Sequence, residues 1–181
     1  MAAPSVGLPF ALSAEAERRT SPPSGTSNQQ TISKGASNME LARKPIGGAA
    51  VIFDAQGRVL LVKHTYGKLN WDLPGGAAEA AESAAETAVR EVREETGLDA
   101  VVERMVGQVY YDRRYDMHHF VFVCRSVGEP VVNSPEISEW GFWPVDELPR
   151  PISDFTVRRI QAAVSPKEPG VVEIGPRVWL E

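Results

Sequence analysis

Cysteine is scarce: Cys124 is the single one in 181 residues. No intramolecular disulfide can form, and nothing in the cysteine usage points to an oxidising compartment. Cys124 ends the apolar run Phe120-Val121-Phe122-Val123, with no basic neighbour or helix start beside it, and reads as a buried structural thiol. Long apolar runs are missing as well, none approaching the ~20 residues that cross a bilayer. The N-terminus has no basic segment, and Pro4 and Pro9 break its short apolar patch, which argues against a cleaved secretory signal. Basic charge is also short: 19 Lys and Arg against 24 Asp and Glu leave a formal net charge of −5. A general nucleic-acid binder would show the opposite excess, clustered on one face. These absences point to the cytoplasm, to no membrane and to no general nucleic-acid binding. A small anionic substrate stays compatible with the acidic chain, because a bound cation reverses the local field.

The 43% hydrophobic content suffices for one core of ordinary size. Residues 1–43 read as a disordered tail, because between Thr20 and Asn38 nearly every residue is Ser, Thr, Pro, Gly, Asn or Gln. Met39 directly precedes the first foldable sequence, so residues 1–38 are expected to be an upstream over-reading of the gene. A domain is expected over 44–165, followed by an extension over 166–181 that forms a short strand or hairpin. Ile46 to Phe53 and Arg58 to His64 are strand candidates. The Asp54-Ala55-Gln56-Gly57 turn between them predicts a hairpin. Leu69 to Gly76 reads as loop. Glu79 to Thr96 is the best helix, rich in Ala and Glu, with Gly97 placed for a left-handed cap. Its small residues Ala81, Ala84, Ala85 and Ala88, with Val92, make a stripe able to lie close against a sheet. Further strands are expected over Val101–Tyr111, Met117–Arg125 and Glu139–Val145. A second helix begins after Ser153, with Val157, Ile160, Ala163 and Val164 as its apolar face. Strands separated by one central helix and closed by another imply an α/β sandwich.

The charged residues of the central helix need an explanation. Glu91, Glu94 and Glu95 stand at i, i+3 and i+4, so their carboxylates share one face within a turn. Like charges so close repel, and they lie near the helix end whose dipole favours cations. A hard divalent cation removes both penalties. Mg²⁺ takes oxygen ligands and favours sites that also hold substrate phosphates. There it neutralises phosphate oxygens and acidifies an attacking water, whose proton one of the glutamates can take. Arg90, one turn before Glu94, is placed to pair with a carboxylate. A merely solvated acidic face is the bland alternative for Glu91 to Glu95 taken alone.

The wider segment reads GAAEAAESAAETAVREVREETGL from Gly76 to Leu98. It resembles the Nudix box at every specified position: Gly76, Glu82, Arg90, Glu91, Val92, Glu94, Glu95, Gly97 and Leu98. A chance match has a probability on the order of 10⁻⁷ at background residue frequencies. The preceding Trp71-Asp72-Leu73-Pro74-Gly75 is also similar to the approach this family uses, and the resemblance runs from about Ile46 to Val164.

The resemblance implies a Nudix-like α/β/α sandwich with a mixed sheet and the box as loop-helix-loop. It implies a Mg²⁺- or Mn²⁺-dependent hydrolase that cleaves a pyrophosphate bond in a nucleoside diphosphate linked to another moiety. By family roles Glu91, Glu94, Glu95 and the Gly75 carbonyl bind metal, and one glutamate doubles as base. Gly76, Glu82, Arg90 and Gly97 support the box. A further carboxylate from a distant loop is expected, Glu136 first and Glu139 second. A non-catalytic nucleotide sensor on the same fold is the alternative, and a homodimer is compatible with the family.

Substrate choice lies outside the box. Lys63 and His64 end a strand just before the glycine loop and could reach a phosphate. Arg113, Arg114, His118 and His119, with Tyr115 among them, form a basic, hydrogen-bonding cluster able to hold phosphates or a base. Trp71, Trp140 and Trp143 could stack on a base, although core packing suits the last two better.

Overall fold

A computed structural model describes residues 43–165 and 167–181. The tail expected over 1–43 lies outside the described residues, apart from Arg43. Ile46–Ile52 forms β1 and Val59–His64 forms β2. The turn between them closes as its chemistry suggests: the Asp54 carboxylate accepts from the backbone N–H groups of Gln56 and Arg58, and Gly57 takes φ +76°. The two strands nevertheless do not run together as a hairpin. Past the isolated bridge Phe53–Val59 they enter different sheets. Both are buried along most of their length, and strands covered on both faces belong between layers rather than in an exposed ribbon.

In the first sheet β1 pairs in parallel with β7 (Met117–Val127) and antiparallel with β4 (Gly75–Ala77). β7 carries β5 (Asp99–Met105) and β6 (Gln108–Asp112), and β6 pairs in parallel with β10 (Gly170–Ile174). The second sheet runs β11 (Trp179–Leu180), β9 (Ile152–Ser153), β3 (Trp71–Asp72), β2 and β8 (Ile137–Trp143). The glycine-rich stretch expected as plain loop therefore contributes a short strand to each sheet. The strand expected over Val101–Tyr111 is split at Val106-Gly107. A Cβ at Gly107 would come within 2.9 Å of the Lys167 carbonyl, so the missing side chain lets the C-terminal segment cross there. That segment sends β10 to one sheet and β11 to the other, and the two do not pair with each other.

Helix α1 is Ala84–Thr96, starting later than the expected Glu79. Ser83 caps it in a capping box with Glu86, each side chain accepting from the other residue's backbone N–H. Ala81 upstream is left-handed at φ 65°, and Gly97 closes the C-terminus at φ 69°. Helix α2 is Asp154–Val164, capped by Ser153 as expected. Its buried face is Phe155, Thr156, Arg159, Ile160, Ala162 and Ala163, whereas Val164 is half exposed. The expected apolar face is thus rotated, because a buried arginine takes part in it.

Alternation along β1 divides the core. Ala49 and Val51 join Leu61, Val121, Phe155 and Ile160 on the α2 side. Ala50 and Ile52 join Leu60, Ala84, Ala88, Val92 and Phe122 under α1. The small-residue stripe does bring α1 close: a Cβ on Gly48 would sit 2.0 Å from the Ala84 carbonyl oxygen. The result is a mixed α/β sandwich with the glycine loop and the acidic end of α1 facing one another. Cys124 is buried in the second core, which pushes its thiol up to about 11, fitting a structural role. Among the described residues no helix is long and apolar enough to cross a membrane.

Candidate active site

The loop before α1 is ordered by one guanidinium. Arg90 Nε donates to Glu82 Oε1 at 2.8 Å, and Nη2 donates to Glu82 Oε2 and to the Ala77 carbonyl, both at 3.1 Å. Its Nη1 donates to Glu91 Oε1 at 2.9 Å and to Glu94 Oε2 at 3.0 Å. Glu82 also accepts from the Glu79 N–H and the Thr87 hydroxyl. These bonds, Arg90 foremost, hold the Glu82 carboxyl down at about 2. Arg90 therefore splints the loop to the helix and supplies the positive charge that the clustered acids require.

Glu91, Glu94, Glu95 and Glu136 line one cleft of about 420 Å³ with Tyr66 and Gly75–Ala77 of β4. Glu94 is exposed, Glu91 partly buried, and Glu95 only 4% exposed. A Cβ at Gly76 would lie 2.1 Å from Glu91 Oε1, so this glycine makes room for the carboxylate. Burial, with Glu91 beside it, pushes Glu95 up to about 9. Its hydrogen bond from the Gly75 N–H is long, 3.3 Å, and does not offset the burial. Burial also raises Glu91, against the pull of Arg90.

The two distant acids lie in different places. Ser134 Oγ accepts from the Glu136 N–H, and the Glu136 carbonyl accepts from the Thr65 N–H at 2.8 Å, which brings Glu136 into the cleft. Glu139 instead pairs with Lys63 at 3.0 Å on the surface of the β2–β8 ribbon.

Whether these donors suit a divalent cation can be judged from their chemistry. They are all hard oxygens, and a carboxylate as buried as Glu95 is the kind of group that a cation returns to its charged form. Among the described residues no three acidic, His or Cys side chains are drawn together tightly enough to grip an ion. Arg90 sits between Glu91 and Glu94, and Glu95 turns to Gly75. The donor set fits, with Glu94 exposed enough to be drawn in from Arg90.

A second hollow, about 280 Å³, adjoins the cleft and shares Tyr66 and Gly75–Ala77 with it. His64, Tyr115 and His119 line this hollow together with Asp72, Phe155, Arg159 and Arg177. Arg113 lies in the neighbouring groove, bound to Glu173 at 2.6 and 2.7 Å. Lys63 points away, to Glu139 and over the Trp71 ring. Trp71 is buried and packs edge-on against Trp143, and Trp140 packs against Phe142, so the tryptophans serve the core.

Sequence reasoning missed the ion pair below this hollow. Buried Asp72 Oδ1 accepts from the Leu73 N–H and the Thr156 hydroxyl at 2.8 Å and from Arg159 Nη2 at 2.5 Å. Burial works against the Asp72 charge, but Arg159 and these donors hold its carboxyl below the usual range. The pair ties the glycine loop to α2. Its partners are 87 residues apart in sequence, so no local pattern announces it. A larger groove, about 810 Å³, follows the outer flank of α1. Charged side chains there are engaged elsewhere: Arg93 with Asp99, Glu86 with Ser83, Glu82 with Arg90.

The NUDIX domain model matches residues 43–163 of the chain. A Bacillus subtilis protein provisionally named an 8-oxo-dGTP diphosphatase is 31% identical over 134 residues, covering 70% of this chain and 89% of that one. An RNA pyrophosphohydrolase of Erythrobacter litoralis is 32% identical over 117 residues, covering 52% of this chain and 70% of that one. Among solved structures, an ADP-ribose pyrophosphatase of Streptococcus suis superposes with TM-score 0.59 at 24% identity, over 73% of this chain and all of that one, which speaks for the fold. The chain belongs to the Nudix family of hydrolases.

Proposed function

We propose that the protein is a Mg²⁺-dependent pyrophosphohydrolase, Mn²⁺ being an alternative ion, acting in the cytoplasm on a nucleoside diphosphate linked to a further group. The observation that carries this reading is the cleft lined by buried Glu95 together with Glu91, Glu94, Glu136 and Gly75–Ala77 of β4. Glu91, Glu94, Glu95 and the Gly75 carbonyl would hold the ion. When bound, it supplies neutralisation of the phosphate oxygens and a lowered pKa for the attacking water. The chain does the rest. Arg90 keeps the loop and helix in register through Glu82. Gly76 leaves space for Glu91, and one of the cleft glutamates takes the water's proton. Glu136, which lines the cleft from outside α1, is the first candidate when Glu91, Glu94 and Glu95 serve as ligands.

The relatives' names span 8-oxo-dGTP, RNA and ADP-ribose, which leaves the attached group to be found by assay. The test is a panel of nucleoside di- and triphosphates, nucleotide sugars and dinucleoside polyphosphates, with and without Mg²⁺, with products resolved to identify the cleaved bond. Mg²⁺-dependent release of a nucleotide from at least one class is expected. Tight binding without turnover by pure protein would overturn the reading in favour of a sensor.

A further inference from the structure

The family match ends at residue 163, and the segment beyond it builds a feature of its own. Between β10 in one sheet and β11 in the other, residues 175–178 form a strap. Asp154 fastens the strap at Val178: its N–H donates to the Val178 carbonyl, and its Oδ1 accepts from the Val178 N–H, each at 2.9 Å. Arg177 is thereby held on a groove of about 620 Å³, which is also lined by Arg113, Arg114 and Tyr115 from the turn between β6 and β7. Three arginines against Asp112 and Glu173 leave this lining positive, in a chain of net charge −5.

The acids around the groove are spent elsewhere. Glu173 takes Arg113 with both oxygens, at 2.6 and 2.7 Å. Asp112 Oδ1 accepts from the backbone N–H of Arg114 at 2.9 Å, and Asp154 pairs with Arg158. Among the described residues, neither the Arg114 nor the Arg177 guanidinium pairs with a carboxylate. Each rests over an aromatic ring instead, Tyr115 at 5.2 Å and Phe155 at 5.3 Å. Both side chains are exposed, so their donors are open to a ligand. Like charges gathered in one groove repel, and an anion relieves them. The groove shares Tyr115 and Arg177 with the 280 Å³ hollow, and that hollow shares Gly75–Ala77 with the acidic cleft, so the three adjoin in series.

We propose that this groove is an anion subsite for a phosphate monoester on the substrate, remote from the pyrophosphate that is cut. Two guanidiniums without carboxylates match the charge of about −1.5 to −2 that a monoester carries at neutral pH, and each can offer it paired N–H donors. A phosphodiester, with a single charge, matches them less well. The substrate class is a nucleotide conjugate with an additional terminal phosphate, such as a dinucleotide phosphorylated on a ribose. The link to the substrate rests on the hydrolase reading, whereas anion binding in the groove does not.

Calorimetric titration of the whole protein in EDTA, at low ionic strength, isolates the groove, because without metal the cleft glutamates repel anions. Inorganic phosphate is the first probe; NADP and NAD, which differ by one phosphate monoester, are the second. Phosphate should bind wild type and bind about ten-fold more weakly to Arg177→Gln and to Arg114→Gln. Arg125→Gln, an exposed position on β7 that loses the same charge, should bind phosphate as wild type does. NADP should bind about ten-fold tighter than NAD, and Arg177→Gln should remove most of that ratio. No phosphate binding, or an equal loss in Arg125→Gln, would overturn the subsite. Phosphate binding without preference for NADP would also overturn it, leaving a site for a free anion. The hydrolase reading is scored separately by turnover on the Mg²⁺ panel and can stand when this one falls.

Discussion

Neutralising Glu95 should remove a pH-dependent loss of stability from the metal-free protein. Glu95 is 4% exposed, and burial with Glu91 nearby raises it from the ordinary 4.5 to about 9. Between these values the folded chain keeps a proton that the unfolded chain has released. Stability therefore falls as pH rises, at up to about 1.4 kcal/mol per pH unit. Over pH 7 to 9 the slope tapers as the folded group itself titrates, and the loss comes to about 2 kcal/mol. Urea unfolding in EDTA at pH 7, 8 and 9 measures it. Wild type should lose this amount, whereas Glu95→Gln, with nothing to titrate, should stay nearly flat and exceed wild type at pH 9. Saturating Mg²⁺ should restore wild type at pH 9, by about 2.7 kcal/mol at a hundred times the dissociation constant. Parallel pH dependence in the two proteins would refute the reasoning, because the strained carboxylate would then not be Glu95.

Glu94→Gln should keep the fold and lose about a hundred-fold or more in kcat on the best substrate of the panel; near-normal rates would remove Glu94 from the ligand set. Gly48→Ala places a methyl 2.0 Å from the Ala84 carbonyl, so α1 must lift from β1. A loss of more than about 3 kcal/mol in urea unfolding is expected, and a loss under 1 would mean the helix yields freely. His119 has its pKa lowered to about 4 by burial and the nearby arginines. Its stability contribution is complete above the unfolded value near 6.5 and declines as pH falls toward 4. NMR should find its ring unprotonated at pH 5.5, and a midpoint near 6.5 would contradict the buried placement.

The acidic face of α1 was legible because its signal is local: Glu91, Glu94 and Glu95 share a face by helical spacing alone, and Gly97 marks the end. The helix starts not at Glu79 but at the capping pattern Ser83-Ala84-Ala85-Glu86. The Ala-rich stretch before it has helical propensity, but Ala81 is left-handed and Glu82 is drawn out to Arg90. The chemistry of the β1–β2 turn is local and legible, but it does not say which layer each strand joins. The Arg159–Asp72 pair, the split at Gly107 and the separate fates of β10 and β11 depend on contacts between distant residues. Glu136 and Glu139 could be separated only by the β8 register, which pairs Lys63 with Glu139.

The most direct test of the acidic cleft is a crystal grown or soaked with Mn²⁺ and a non-hydrolysable diphosphate, read by anomalous scattering. A peak coordinated by Glu95 and at least one of Glu91 and Glu94, beside the Gly75 carbonyl, is the expected result. Well-ordered diphosphate with no anomalous peak at that cleft would contradict the metal-binding reading.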